Sequence, residues 1–253
     1  MFPILILVLS ISGLISFRLY STVDFNGLDT TPPSHDLWDA LVKDFVKEGH
    51  VDYQRLHKNN EQLNIYLNRL SSHEPTNSWG KEEQLAYWIN AYNAFTLKII
   101  LDHYPVKSIK DIGPKVQIPL VNSTWDISFI HIGNKTLSLN DIEHRILRKE
   151  FNEPRIHFAI VCASKSCPTL RSEAYNAKNI DNQLNQQAIS FINNKTRNHI
   201  NANHIEISQI FNWFKGDFTK NGSLIDFLNK YSTTKINPDA TISYLDYDWS
   251  IND

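Results

Sequence analysis

Both cysteines of the chain, Cys162 and Cys167, lie in one stretch, Arg155 to Leu170 (R-I-H-F-A-I-V-C-A-S-K-S-C-P-T-L), with His157, Ser164 and Ser166. A thiolate nucleophile needs an electropositive, partly exposed setting and a base within hydrogen-bond reach. Cys162 and Cys167 are therefore candidate nucleophiles, and His157 is a candidate base. The near-continuous apolar run Ile156 to Val161 predicts a central β-strand buried on both faces, ending in the small polar loop Ala163 to Ser166, where Ser164 and Ser166 are candidate binding residues. On a regular strand, five residues span about 16 Å and place His157 and Cys162 on opposite faces. That geometry leaves His144, or His157 with a Cys167 returned by the loop, as the base, oriented by Glu143 or Asn90 as the third member of a triad.

Two other chemistries compete for the same residues. A separation of five allows a Cys162–Cys167 disulfide in a non-catalytic binding or scaffolding domain, if the loop brings the Cα atoms within about 7 Å. A metal held by Cys162, Cys167 and one or two of His131, His144 and His157 lacks a second cysteine pair or an H-x-x-x-H, so no metal and no cofactor are expected. G-x-G-x-x-G, Walker, H-E-x-x-H and G-x-S-x-G patterns are all absent, which disfavours nucleotide-dependent chemistry.

The elements that must position these groups are mostly helical. Residues 35–49 carry Leu37, Trp38, Leu41, Val42 and Phe45 at helical spacing, with Ser34 as a cap and Gly49 as a stop. A second helix runs over about 60–70. The strongest, 81–103, is apolar almost all round, and Asn90 and Asn93 sit in its narrow polar stripe. A buried amide needs partners, so Asn90 and Asn93 either bond neighbouring backbone or line a pocket.

Gly133-Asn134 predicts a two-residue hairpin turn after 123–132. Ser138 and Asp141 form a capping box that opens a helix with the apolar stripe Leu139, Ile142, Ile146 and Leu147. Glu143 falls within that stripe, so it is either paired with an arginine such as Arg155 or a catalytic or orienting carboxylate. Further helices are expected at 179–194, 208–214 and 223–231, with strands at 204–207 and 241–251. The fold expected is α/β (α+β): helices packed on a small mixed β-sheet, in a single domain over 35–253.

Residues 1–17 contain no charge and are dominated by Ile and Leu. They are expected to form a signal peptide or membrane anchor, followed by a polar linker over 18–34. The chain is therefore expected to be exported, either membrane-anchored or periplasmic or secreted, with membrane contact through this segment. Of 253 residues, 25 are Lys or Arg and 27 are Asp or Glu. No basic field is available for nucleic acid, and a small-molecule or peptide ligand is the expected partner.

Four motifs in order, W-I-N-A-Y-N-A (88–94), I-E-H-R-I-L-R (142–148), the 155–171 stretch and Y-D-W-S-I-N (247–252), resemble the domain-of-unknown-function family 547 (DUF547), found in bacteria and eukaryotes. The resemblance runs from about Leu85 to the C-terminus and leaves the first 30 or so residues outside. It implies a domain but no activity. The family pattern matches at His157, Cys162, Ser166 and Pro168, and some plant relatives carry Ser at the place of Cys167, which favours Cys162 for a shared role. Together these readings leave two functions open: a cysteine-dependent hydrolase of amide or ester bonds, or a non-catalytic envelope domain.

Overall fold

The helix α4 (Lys81–Asp102) is the axis of the molecule. From Gln84 to Leu101 every residue except Lys98 is buried, as an all-round apolar helix requires. Its start is held by the Glu83 carboxylate, which accepts from Gly80 N at 2.7 Å, satisfying one of the free donors of a helix N-terminus. Around it the computed structural model, which describes residues 31–118 and 121–253, arranges α1 (Asp36–Phe45), α2 (Tyr53–Lys58) and α3 (Glu61–Ser72). The signal or anchor expected at 1–17, and most of the linker, lie outside the described residues. No helix among the described residues is long and apolar enough to cross a membrane.

The fold is α+β, but the strands are short satellites of a helical core. β1 (Val46–Lys47) and β2 (His50–Val51) form one hairpin, and β3 (Ile130–Ile132) and β4 (Lys135–Leu137) form a second. β5 (His199–Ile200), β6 (His204–Ile207) and β7 (Thr241–Tyr244) make a mixed sheet, antiparallel between β5 and β6 and parallel between β6 and β7. The β3–β4 register pairs Ile132 with Lys135, so Gly133-Asn134 is the expected two-residue turn.

The first helix stops at Phe45 rather than running to Gly49. Glu48 and Gly49 both take positive φ (51° and 85°), the geometry of a tight hairpin turn. A Cβ on Gly49 would lie 2.2 Å from the Thr169 methyl, so glycine is also needed here for close approach.

The larger correction concerns residues 155–161, which form no strand. Pro154–Phe158 is a 3₁₀ turn, with Pro154 at its first position and the Glu153 side chain accepting from Arg155 N at 3.1 Å. A continuous apolar run specifies burial on all sides, which a tight turn threaded through a core satisfies as well as a central strand does. Ile156, Ala159, Ile160 and Val161 belong to the core around α4. Phe158 belongs to a second core shared by α6 (Ile180–Ile192), the three-stranded sheet and the short helix Leu224–Leu228. The turn therefore joins the two cores.

Candidate functional site

Asn93 of α4 fixes the backbone that leads to Cys162. Its Nδ2 donates to Ala159 O and its Oδ1 accepts from Val161 N, both at 2.9 Å. Asn90 does the same for Tyr175, at 2.8 and 3.0 Å. Both side chains are fully buried, so of the two roles open to them, bonding to backbone is the one the structure shows. Asn93→Ala would leave a buried carbonyl and a buried N–H unpaired, and is expected to cost about 2–4 kcal/mol in urea unfolding. A loss below about 1 kcal/mol would show that the Cys162 segment keeps its shape without this clamp.

Immediately after Cys162, Ala163 sits at φ 57°, in the left-handed region that costs a non-glycine residue about 1–2 kcal/mol. The C-terminal tail holds it there. Asn252 N donates to Ala163 O at 3.2 Å, Lys165 N to Ser250 O at 2.8 Å and Ser166 N to Asp248 O at 3.2 Å. Ser166 Oγ accepts from Asp248 N at 2.9 Å, so this binding candidate serves as a tail clamp.

The held turn presents Cys162 to a cavity of about 540 Å³ that Cys167, Glu143, His144 and His157 also line. Both thiols are free, so the disulfide considered from spacing is not formed. Cys167 is almost fully buried, and its Sγ accepts from Cys162 N. Cys162 Sγ lies 3.1 Å from Ser164 Oγ and 3.3 Å from Tyr247 Oη. Hydrogen bonding from the Cys167 thiol, opposed by burial and assisted by the Ser164 and Tyr247 hydroxyls, lowers the Cys162 thiol below its usual range. Burial raises the Cys167 thiol, as do the hydrogen bond and the charge of Cys162. Of the two thiols, Cys162 is therefore the one favoured as thiolate, stabilised by hydrogen-bond donors rather than by an imidazolium.

Neither histidine is paired with a sulfur. Burial keeps His157 neutral, by lowering its pKa, and its Nε2 donates to Asp217 Oδ2 at 2.8 Å. Its ring stacks on Phe214 at 3.9 Å. The proton on Nε2 leaves Nδ1 as a lone pair 3.9 Å from Glu143 Oε1, too far for a hydrogen bond. His144 Nδ1 lies 2.8 Å from Arg148 Nη1. Arginine can only donate, so Nδ1 accepts and the neutral ring carries its proton on Nε2. Burial lowers His144 to about 4, helped by Arg148 and His157. His144 is thus neutral near pH 7, with its Nε2–H as the free hydrogen-bond donor of the ring.

Glu143 and His144 lie on a π-helical segment, Asp141–Leu147, which α5 (Arg148–Glu150) continues. The capping box is present, with Ser138 N donating to Asp141 Oδ2 at 2.8 Å. The bond from Arg148 N to Glu143 O spans five residues, and such windings concentrate at functional sites. Arg155 pairs instead with Glu153 and Asp181, so it is not the partner of Glu143. Among the described residues, Glu143 has only a long hydrogen bond from Tyr92 Oη, at 3.4 Å. Burial raises its carboxyl to about 7, with Arg148 opposing and the Cys162 charge adding to the rise.

Asp217 completes the network, accepting from Arg148 Nε at 2.6 Å as well as from His157. Burial opposes its ionisation, but the bonds from His157 and Arg148 outweigh this and keep it ionised. Nothing in the local sequence K-G-D-F marks Asp217. Tyr247 and Trp249, by contrast, fall within the Y-D-W-S-I-N motif. Among the described residues no cluster of His, Cys, Asp and Glu could hold a metal ion.

Comparison with curated proteins and with solved structures gave no match. The family described as "Protein of unknown function, DUF547" matches residues 76–192. That span contains α4, the π-helical segment, the Cys162 turn and α6, but not Asp217 or the tail that carries Tyr247. On this match, and on the motifs within it, the chain contains a DUF547 segment over residues 76–192.

Proposed function

We propose that the domain is a cysteine-dependent hydrolase of ester or amide bonds, with Cys162 as nucleophile and Glu143 as general acid and base. The observation that carries this reading is the pairing, in one cavity, of a thiol shifted down with a buried carboxyl shifted up to about 7. Titratable groups driven apart in this way are how a site divides nucleophile from acid at neutral pH.

In this mechanism the Cys162 thiolate attacks the carbonyl carbon, and the oxyanion accepts from His144 Nε2–H. Protonated Glu143 then gives its proton to the leaving alcohol or amine as the carbonyl re-forms, leaving a thioester on Cys162. The Glu143 carboxylate next takes a proton from water. The hydroxide adds to the thioester, Cys162 departs as thiolate, and the acid product is released. Arg148 holds His144 in the tautomer the first step needs, and Asp217 holds Arg148 and His157 in place. The free state of both thiols weighs against a disulfide-braced scaffold.

The test is intact-mass spectrometry of the full chain mixed with activated aryl esters from pH 5 to 9. One acyl group on Cys162 is expected, with its turnover falling on both sides of neutrality. Absence of any acyl adduct across the series would sink the reading. The uncharged stretch 1–17 extends the proposal to an exported or envelope-anchored enzyme. Recovery of the full chain in the soluble cytosol of its host would overturn that part alone.

A further inference from the structure

The cavity wall is aromatic from its mouth to the sulfur. Tyr247, whose hydroxyl touches Cys162 Sγ, has its ring 4.8 Å from Trp213 and 4.6 Å from Trp249. Trp213 stacks on Trp249 at 5.7 Å and 24°, and Trp125 meets Trp249 edge-on at 5.7 Å. Trp213 nevertheless remains 46 % exposed, a large apolar surface left in water at the entrance to a cavity. Aromatic surface continuous with a cavity wall is where an apolar ligand would gain most from burial.

Apart from the Cys162 sulfur at the inner end of the wall, its uncompensated charge is a cation. Lys110 lies on the rim, its Nζ 4.9 Å from the Trp249 ring centre, and no carboxylate pairs with it among the described residues. Of the other ionisable side chains facing the cavity besides Cys162, each is paired or neutral near pH 6. Arg148 is taken by Asp217, both histidines are neutral, and Glu143 is uncharged below about 7.

We infer that the cavity takes an amphiphilic anion, an extended or flat apolar acyl group laid along the Trp213–Trp249–Tyr247 wall with a carboxylate or phosphate reaching Lys110. As a statement about substrate, this rests on Cys162 being the nucleophile, because Tyr247 links the wall to that sulfur. As a statement about binding, it stands on the wall and the rim alone. The substrate class is then an apolar acyl ester or amide that carries an anionic group.

The test is titration of the full chain, followed by tryptophan emission, with decanoate, decyl phosphate, decanol and decyltrimethylammonium, each below its micelle concentration. The same ligands are scored for protection of Cys162 against iodoacetamide. Decanoate or decyl phosphate is expected to bind about fivefold more tightly than decanol, with the cation weakest, and comparison of the two anions separates carboxylate from phosphate. Lys110→Glu should abolish the preference for anions, and Trp213→Ala should weaken every ligand about tenfold.

Equal binding of decanol or the cation, an unchanged preference in Lys110→Glu, or emission changes that persist in Trp213→Phe without Cys162 protection would overturn the inference. Anion binding that needs Lys110 and Trp213, in a protein that forms no acyl adduct, supports the inference and sinks the hydrolase reading. Acyl transfer that ignores both residues does the reverse.

Discussion

Cys162→Ala is expected to abolish acyl transfer and the fast phase of native alkylation while leaving the protein folded. Loss of a nucleophile typically removes about 10³-fold or more of turnover. The side chain removed is small and already faces a cavity, so unfolding by urea should move by no more than about 1–2 kcal/mol. Cys167→Ala provides the contrast. It keeps the nucleophile but removes the thiol that contributes most to lowering Cys162, so its alkylation profile should shift to higher pH rather than vanish. The measurement is the rate of iodoacetamide labelling against pH for the wild type and both variants, with the labelled site read by peptide mass. Fast labelling that survives in Cys162→Ala would transfer the role to Cys167 and remove the basis of the proposed mechanism.

Glu143→Gln is expected to stabilise the protein at pH 8 and to disable it. Burial is the main force that raises this carboxyl from 4.5 to about 7. Between those values the folded chain keeps a proton that the unfolded chain has released. Stability from this group is therefore present below pH 4.5 and falls by about 1.4 kcal/mol per pH unit, about 3 kcal/mol in all, as pH rises to 7. Glutamine cannot ionise, so the variant gains up to about 3 kcal/mol over the wild type above pH 7 and nothing below pH 4.5. His144 and His35, both lowered mainly by burial, impose the opposite slope but do so in both proteins and cancel in the difference. Urea midpoints at several pH values for the two proteins give that difference curve directly. Turnover should fall about 10²- to 10⁴-fold, with loss of the limb near pH 7. A variant less stable than the wild type at pH 8 would mean that the ionised carboxylate is held by Arg148, and Glu143 could not then act as the acid.

Much of the helical framework was legible in the sequence because helices declare themselves through spacing. The all-round apolar run of α4 required a central helix whatever its neighbours. The Ser138–Asp141 capping box and the Gly133-Asn134 turn are short-range devices whose partners lie two or three residues away. Residue type singled out Cys162, Cys167, His157, Glu143 and His144, and all five line one cavity.

Residues 155–161 mark the limit of that kind of reading. Their apolar run required burial, and only the packing of two cores on either side decided that a 3₁₀ turn, not a strand, would provide it. Two partners of the site groups were likewise set at long range. Tyr247 reaches Cys162 from 85 residues away and Asp217 reaches His157 from 60. Arg148, only four residues along, sets the tautomer of His144 by donating to Nδ1. Residue type and spacing determined which groups carry reactive atoms. Which atom holds the proton was decided only by the tertiary contacts, because protonation follows burial and the nearest donor rather than position in the chain.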